Sequence, residues 1–296
     1  MDLEKKAIER IKTASQMSLL YYKKPLVLAD SGGKDSAVCR ELLLRSGVPF
    51  EIQHNHTTAD APQTVYYIRE VLRKMELQGI SCKINQPYYK GQRITMWSLI
   101  PMKMIPPTRI ARYCCEVLKE QGGQNSFLIT GVRWQESHRR KNTRGIYERF
   151  GTTQKNRVML NNDNDDRRKL FESCLAKSKH ICNPIVDWKD RDVWEYIHSE
   201  KLWLNPLYDR GLTRVGCIGC PMAGRGRYKE FAWFPTYQRA YIRAFEKMLE
   251  NRRRMGKLEE TVRWKDGESV FRWWMEDKNI EGQLAFSWTE DYEIFY

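Results

Sequence analysis

Near the start of the chain, Leu3, Ala7, Ile8, Ile11 and Ala14 recur at helical spacing with lysines and acids between them, which predicts a helix over Met1–Tyr22. After Lys23-Lys24-Pro25, the apolar run Leu26–Ala29 reads as a buried parallel strand. A Gly-containing turn and a helix over about Asp35–Arg45 follow, and Gly47-Val48-Pro49 breaks that helix before a second strand, Phe50–Gln53. Pro62 takes the first position of a long helix reaching Gln78, Gly79 ends it, and Ile80–Ile84 is the third strand. Asn85–Pro107 is irregular, with four prolines and a glycine at Pro87, Gly91, Pro101, Pro106 and Pro107. Arg112–Glu120 reads as a helix, Phe127–Gly131 as the fourth strand and Ile181–Val186 as the fifth. Asp190–Ser199 is a helix with Val193, Trp194 and Ile197 on one face.

Strands that alternate with helices over about 200 residues predict an α/β domain with a parallel sheet of about five strands covered on both faces. Beyond residue 200 the strand pattern stops. Trp233–Asn251 is a helix with Phe234, Tyr237, Tyr241, Phe245 and Met248 on one stripe, and Trp264, Trp273, Trp274 and Trp288 follow among charges. The expected division is therefore an α/β domain over 1–200 and a mostly helical region over 201–296. The polar segment Asn161–Arg168 reads as a solvated loop, and the Trp-rich tail as core packing of a C-terminal cap.

The chain has 296 residues, 41% of them hydrophobic and 12% aromatic, which excludes a disordered or collagen-like protein. No stretch approaches the ~18–20 apolar residues of a membrane span. Charges at Glu4, Lys5, Lys6, Glu9, Arg10 and Lys12 replace the apolar centre of a secretory signal. A soluble cytoplasmic protein with no membrane partner is expected. Lys plus Arg exceed Asp plus Glu by 51 to 37, a net +14 that favours polyanionic partners. Three basic clusters carry much of it: Arg133, Arg139, Arg140, Lys141, Arg144 and Arg149; Arg225, Arg227 and Lys229; and Arg252-Arg253-Arg254.

Candidate chemistry concentrates in two places. Ser31-Gly32-Gly33-Lys34-Asp35-Ser36 joins the first strand to the following helix. Backbone N–H groups converge there with the positive end of the helix dipole, the glycines allow close approach, and Lys34 adds a point charge for phosphate. This is not the GxxxxGK[ST] loop, because position 28 is Leu28 and Asp35 follows the lysine. The second place is a pair of cysteine pairs, Cys114-Cys115 and Cys217-Ile218-Gly219-Cys220. Four thiols of this spacing suit a [4Fe–4S] cluster; four-cysteine zinc and a dithiol redox pair are the competing readings. Cys39, Cys82, Cys174 and Cys182 read as small apolar residues, and Met102 and Met104 as packing residues.

The hexapeptide resembles the PP-loop of the adenine-nucleotide α-hydrolases, and residues 25–245 resemble the phosphoadenosine-phosphosulfate reductase family. The segment Thr58–Thr64 is similar to that family's Asp-Thr-Gly…Pro-Glu-Thr stretch, although it lacks Asp-Thr-Gly and has Gln63 for Glu. Gly131–Arg140 resembles its Gly-x-Arg-x-x-Glu-Ser-x-x-Arg motif, and Asp187–Trp194 and Asn205–Asp209 are family-like as well. The resemblance implies a Rossmann-like PP-loop domain with a helical C-terminal extension. It implies nucleotide contacts from Ser31, Gly32, Gly33, Lys34, Asp35, Ser36, Gly131, Arg133, Glu136, Ser137 and Arg140. Lys34, Asp35, Arg133 and Arg139 are the expected catalytic groups, with Asp35 holding Mg²⁺ or the loop, and Cys114, Cys115, Cys217 and Cys220 the cluster ligands.

Family reductases use a cysteine in a C-terminal segment, whereas no cysteine follows Cys220 in this sequence. The expectation is therefore an ATP pyrophosphatase that adenylates an acceptor for sulfur transfer, with a cysteine desulfurase as sulfur donor and DNA or RNA as candidate acceptor. Reduction of phosphoadenosine or adenosine phosphosulfate to sulfite, and a non-catalytic nucleic-acid-binding regulator, are the alternatives. A homo-oligomer is compatible with all three.

Overall fold

The computed structural model describes residues 2–120, 123, 125–136, 138–150, 158–160, 179–256 and 264–276. In chain order these form α1 (Leu3–Tyr22), β1 (Leu26–Ala29), α2 (Lys34–Ser46), β2 (Phe50–Asn55), α3 (Pro62–Glu76) and β3 (Cys82–Asn85). A short hairpin, β4 (Tyr88–Tyr89) and β5 (Gln92–Arg93), leads to α4 (Met96–Lys103) and α5 (Tyr113–Leu118). Then come β6 (Phe127–Ile129), α6 (His138–Thr143), β7 (Tyr147–Phe150), β8 (Val158–Leu160), β9 (Lys179–Cys182) and α7 (Asp190–Ser199). The chain continues through α8 (Gly226–Trp233), α9 (Pro235–Arg254) and α10 (Gly267–Glu276). Asn161–Arg168, Cys174, Trp288 and Ser137 lie outside the described residues.

These elements fall into two compact units that interleave along the sequence. The first comprises residues 1–55, 62–85 and 122–215, and the second 56–61, 86–121 and 216–296. A single cut at residue 200, as the sequence suggests, does not separate them, because residues 86–121 group with the C-terminal region.

The first unit is an α/β sheet of order β3-β2-β1-β6-β9-β7-β8. Its first five strands run parallel, the number read from the apolar runs. Two further strands, β7 and β8, add antiparallel at one edge. They escape a hydrophobicity reading because β7 buries a carboxylate: Glu148 accepts from Arg144 Nη1 at 3.1 Å and Asn183 Nδ2 at 2.8 Å. The fifth parallel strand also begins earlier than expected, at Lys179, and ends at Cys182. Leu26, Leu28, Phe127 and Ile129 from the central strands pack with Ala7, Ile11 and Met17 of α1 and Val38, Leu42 and Leu43 of α2. Each such buried side chain contributes roughly 1.5–3 kcal/mol by leaving water. Cys39 and Cys182 belong to this core as small apolar groups, while Cys82 is half-buried on the edge strand.

The second unit is mainly helical around an aromatic core. Phe231, Tyr241, Phe245, Phe271 and Trp274 meet with ring centroids 4.7–6.2 Å apart. Trp274 Nε1 donates to Pro107 O at 2.5 Å, so this part of the Trp-rich tail is core packing, as expected. Asn85–Pro107 is more ordered than its prolines suggest: Thr95 and Ser98 form a capping box at the start of α4. Met104 takes a left-handed φ of 56° at its end. Met102, expected in packing, stands 42% exposed, because α4 turns Met96, Leu99 and Ile100 inward instead. Among the described residues no helix is long and apolar enough to cross a membrane.

Candidate functional site

The phosphate loop is held from below by Asp30, the residue after β1. Its buried carboxylate accepts from Gly32 N at 2.8 Å, Ser36 Oγ at 2.9 Å and Arg40 Nη1 at 2.5 Å. Gly32 adopts φ +75°, and a Cβ there would lie 3.1 Å from Ile68 and 3.2 Å from Thr64, so both conformation and space require glycine. Gly33 caps α2 without a side-chain partner. The first-turn N–H groups of the helix therefore face the loop. Ser31 Oγ lies 3.4 Å from Ser36 Oγ.

Four charged side chains meet at this helix start. Lys34 Nζ lies 3.1 Å from both Asp35 Oδ2 and Asp190 Oδ1. Arg133 Nε donates to Asp35 Oδ1 at 2.7 Å and Arg133 Nη2 to Asp190 Oδ1 at 2.9 Å. Lys34 and Arg133 are both buried, and Arg133 Nη1 is buried without a hydrogen-bond partner. Partial burial works against ionisation of Asp190, but Lys34 and then Arg133 outweigh it and hold its carboxyl below the ordinary carboxylate range. The quartet is formally neutral, with Asp190 the more exposed acid at 53% against 22% for Asp35.

Several expected contact residues turn out to shape the site. Gly131 packs against the backbone of Asp35: a Cβ there would be 2.8 Å from its carbonyl carbon. Glu136 accepts from the backbone N–H of Arg133 at 3.0 Å and so closes the turn that presents the guanidinium. Arg139 and Arg140 lie on α6. Three participants were not among the expected site residues, although two of them, Asp190 and Tyr208, fall in the family-like segments Asp187–Trp194 and Asn205–Asp209. These are Asp30, Asp190 and Tyr208, whose hydroxyl accepts from Lys34 N at 2.9 Å. Asp30 also carries a local signal, as an acid placed directly between a buried strand and Ser-Gly-Gly.

In the second unit the four cysteines line one small cavity with Lys119 and Tyr241, and no disulfide joins them. Cys114 and Cys115 occupy the first turn of α5. Cys217 bridges the backbone of Asp60, and a turn closed by Cys220 N donating to Cys217 O at 3.2 Å brings the last thiol back. Gly219 makes that turn at φ +74°, where a Cβ would sit 2.4 Å from Phe231. Its N–H donates to Glu230 Oε2 at 2.7 Å. The Cys114 thiol hydrogen-bonds to Cys115 and, despite burial, pulls the Cys115 pKa below the ordinary thiol value, helped by Lys119 and Arg112. Burial keeps Cys217 above the ordinary thiol value. Negative charge on Cys217, and after it on Cys220 and Cys115, pushes the Lys119 ammonium pKa upward against its burial, so a cation stands beside potential thiolates. Lys119 too was not singled out from the sequence.

The basic clusters resolve differently. Arg227 is buried, donating to Trp274 O at 2.9 Å with its guanidinium 5.0 Å over the Trp274 ring. Arg252 donates to Met104 O at 2.7 Å. The run Arg225–Lys229 is therefore not a continuous basic surface, because helical periodicity turns its middle arginine into the core.

The family profile for the phosphoadenosine phosphosulfate reductase domain matches residues 25–223. An uncharacterized protein of Methanocaldococcus jannaschii is 27% identical over 248 residues, covering 80% of this chain and 51% of that protein. The chain thus spans about half the length of that relative. Adenosine 5'-phosphosulfate reductase of Bacillus mycoides is 24% identical over 225 residues, 72% of this chain and 80% of the reductase. Phosphoadenylyl-sulfate (PAPS) reductase from Candida auris, solved in a phosphate complex, aligns with 73% of this chain and 92% of its own at TM-score 0.42 and 15% identity.

Proposed function

Because the chain belongs to the phosphoadenosine phosphosulfate reductase domain family, we propose that it is an iron–sulfur enzyme that adenylates an acceptor with ATP ahead of sulfur transfer. The observation that carries this reading is the pairing of Lys34 and Arg133 at the start of α2, both buried and both held by the same two carboxylates. A triphosphate lying along Ser31–Ser36 meets the N–H groups and dipole of the helix start. Asp190, the more exposed acid, swings aside, and Lys34 and Arg133 exchange it for phosphate oxygens. Arg133 Nη1, buried without a partner, gains one. Asp35 stays in the first turn of α2 and is the carboxylate available to the Mg²⁺ that accompanies the nucleotide.

The acceptor oxygen or nitrogen attacks the α-phosphorus, the bond to the bridging oxygen breaks, and pyrophosphate leaves with the electron pair. The negative charge that builds on the leaving group is what the two cations offset. Where the adenylated atom is oxygen, a persulfide from a donor such as a cysteine desulfurase attacks the atom that bears it, and AMP departs with that oxygen. A second thiol then reduces the S–S bond, so that the donor leaves as a thiol and its outer sulfur stays on the acceptor. Nucleic acid is the favoured acceptor class, given the net charge of +14.

Cys114, Cys115, Cys217 and Cys220 are the residues to hold a [4Fe–4S] cluster. The donor set fits: four thiols share one cavity beside the Lys119 cation, and Arg112 Nη2 lies 3.5 Å from Cys115 Sγ. Bound there, the cluster supplies a redox-capable or Lewis-acidic centre. Incubating anaerobically purified protein with ATP, Mg²⁺ and RNA or DNA tests the proposal, with pyrophosphate release as the readout. Its absence with and without nucleic acid refutes adenylation.

A second reading is sulfonucleotide reduction, which is favoured by the likeness to the Bacillus mycoides reductase over 80% of that protein. Sulfite formed from adenosine phosphosulfate with reduced thioredoxin would establish it.

A further inference from the structure

A cleft of about 960 Å³ opens in the first unit between α3, α7 and residues 201–209. Gln63, Tyr66, Trp194, His198, Trp203 and Tyr208 contribute to its wall. Their rings are fixed by one another. Trp194 stacks on His198 at 5.9 Å and meets Tyr208 edge-on at 5.6 Å, while Trp203 packs against Tyr67 at 4.8 Å. Large aromatic groups nevertheless remain open to solvent there, Tyr66 at 69% and Trp203 at 47% exposure. The Lys74 ammonium lies 3.9 Å over the Trp203 ring. A flexible, exposed lysine is thus parked where a planar ligand could stack.

The polar part of the wall narrows the ligand class. Gln63 Oε1 is buried and has no hydrogen-bond partner. A buried acceptor in that state is unfavourable until an N–H reaches it. Around it, Glu70 and Asp209 offset Lys201, so the lining has no excess of positive charge to draw in phosphate. Aromatic walls plus one unsatisfied acceptor suit a neutral heteroaromatic ring with an N–H donor. We infer that this cleft binds a nucleobase, separately from the phosphate loop, with the base stacked at Trp203 and its N–H on Gln63. The base can belong to a free nucleoside or to a single strand.

Titrating the full-length protein with adenosine, with cytidine and with a single-stranded oligonucleotide tests this. Tighter binding of the oligonucleotide assigns the base to a strand, and tighter binding of the nucleosides to a free ligand. Trp203→Ala and Gln63→Leu should each weaken binding at least tenfold, in keeping with a lost stacking or hydrogen-bonding partner. Trp203→Phe, which keeps a ring, should restore most of it. Lys34→Ala should leave nucleoside binding unchanged. Binding indifferent to Trp203→Ala, loss of nucleoside binding in Lys34→Ala, or no saturable binding at millimolar ligand would each overturn the assignment. The site stands independently of the adenylation reading, since pyrophosphate release reports on the loop and nucleoside binding on the cleft.

Discussion

The backbone N–H of Lys34 donates to the phenolic oxygen of Tyr208 at 2.9 Å. That N–H belongs to the first turn of α2, where an incoming phosphate seeks donors. Tyr208 is thus a neutral stand-in for the anion, and burial raises its phenol pKa to about 12, which keeps it neutral. Tyr208→Phe frees the N–H and should tighten pyrophosphate binding about fivefold, the worth of one net hydrogen bond. Calorimetric titration of both proteins with pyrophosphate checks it.

Lys34 and Arg133 share two carboxylates, so removing either cation leaves two acids on one cation and the cluster with a net negative charge where phosphate must bind. Lys34→Ala should lower pyrophosphate release from ATP by about 100-fold or more. Arg133→Met should do likewise and also destabilise the fold by about 1–3 kcal/mol, at the lower end for a broken ion pair because Asp35 and Asp190 retain solvent. Urea unfolding beside the kinetic assay separates the two effects.

Asp30 carries no solvent-facing role, yet it receives three donors. Asp30→Asn keeps the shape and removes the charge that Arg40 balances. A loss of about 3 kcal/mol in urea unfolding is expected, because the guanidinium is left buried without its counter-ion. A change within error would mean that the loop is held by its glycines alone.

Replacing Cys217 or Cys220 by Ser should abolish iron and sulfide content in anaerobically purified protein, whereas Cys39→Ser and Cys82→Ser should retain both. Visible absorption with elemental analysis decides, and a colourless zinc-loaded wild type would remove the cluster from the proposal. Gly219→Ala should act like the cysteine changes, because its Cβ would press on Phe231 at 2.4 Å in a left-handed backbone.

His180 is buried between Phe127 and Tyr21, stacking on the two rings at 5.3 and 6.4 Å. Burial, with Arg149 nearby, lowers its pKa to about 4. The unfolded chain, with an imidazole pKa of about 6.5, therefore takes up protons first as the pH falls. The stability this group contributes is complete above about 6.5 and drains away towards about 4, by an amount on the order of 3 kcal/mol. His180→Phe should flatten that part of the stability–pH curve relative to wild type.

Much of the first unit was legible in the sequence, because buried parallel strands are written as apolar runs: Leu26–Ala29, Phe127–Ile129 and the helices between them behave locally as they do in the fold. β7 was not, since Glu148 owes its burial not only to the neighbouring Arg144 but to Asn183, a partner that the fold brings in from 35 residues along the chain. The loop could be read for the same local reason: Ser31–Ser36 is contiguous, whereas Asp190 and Tyr208 join it from more than 150 residues away. The two cysteine pairs were visible as pairs. Lys119, the cation that completes their cavity, sits among helix residues of ordinary appearance. Arg227 shows the converse, a charged residue that looks superficial until Trp274 covers it.

The interleaving of the two units also bears on how the protein holds together when stressed. Residues 62–85, which form α3 and β3, are joined covalently to the rest of the first unit only through segments 56–61 and 86–121 of the second. If the second unit melts, that edge of the sheet is tethered by two slack loops, and docking it back carries a larger closure entropy. Occupancy of the cysteine cavity should therefore be felt as protection from amide exchange in β3, although that strand supplies none of the four thiols lining it.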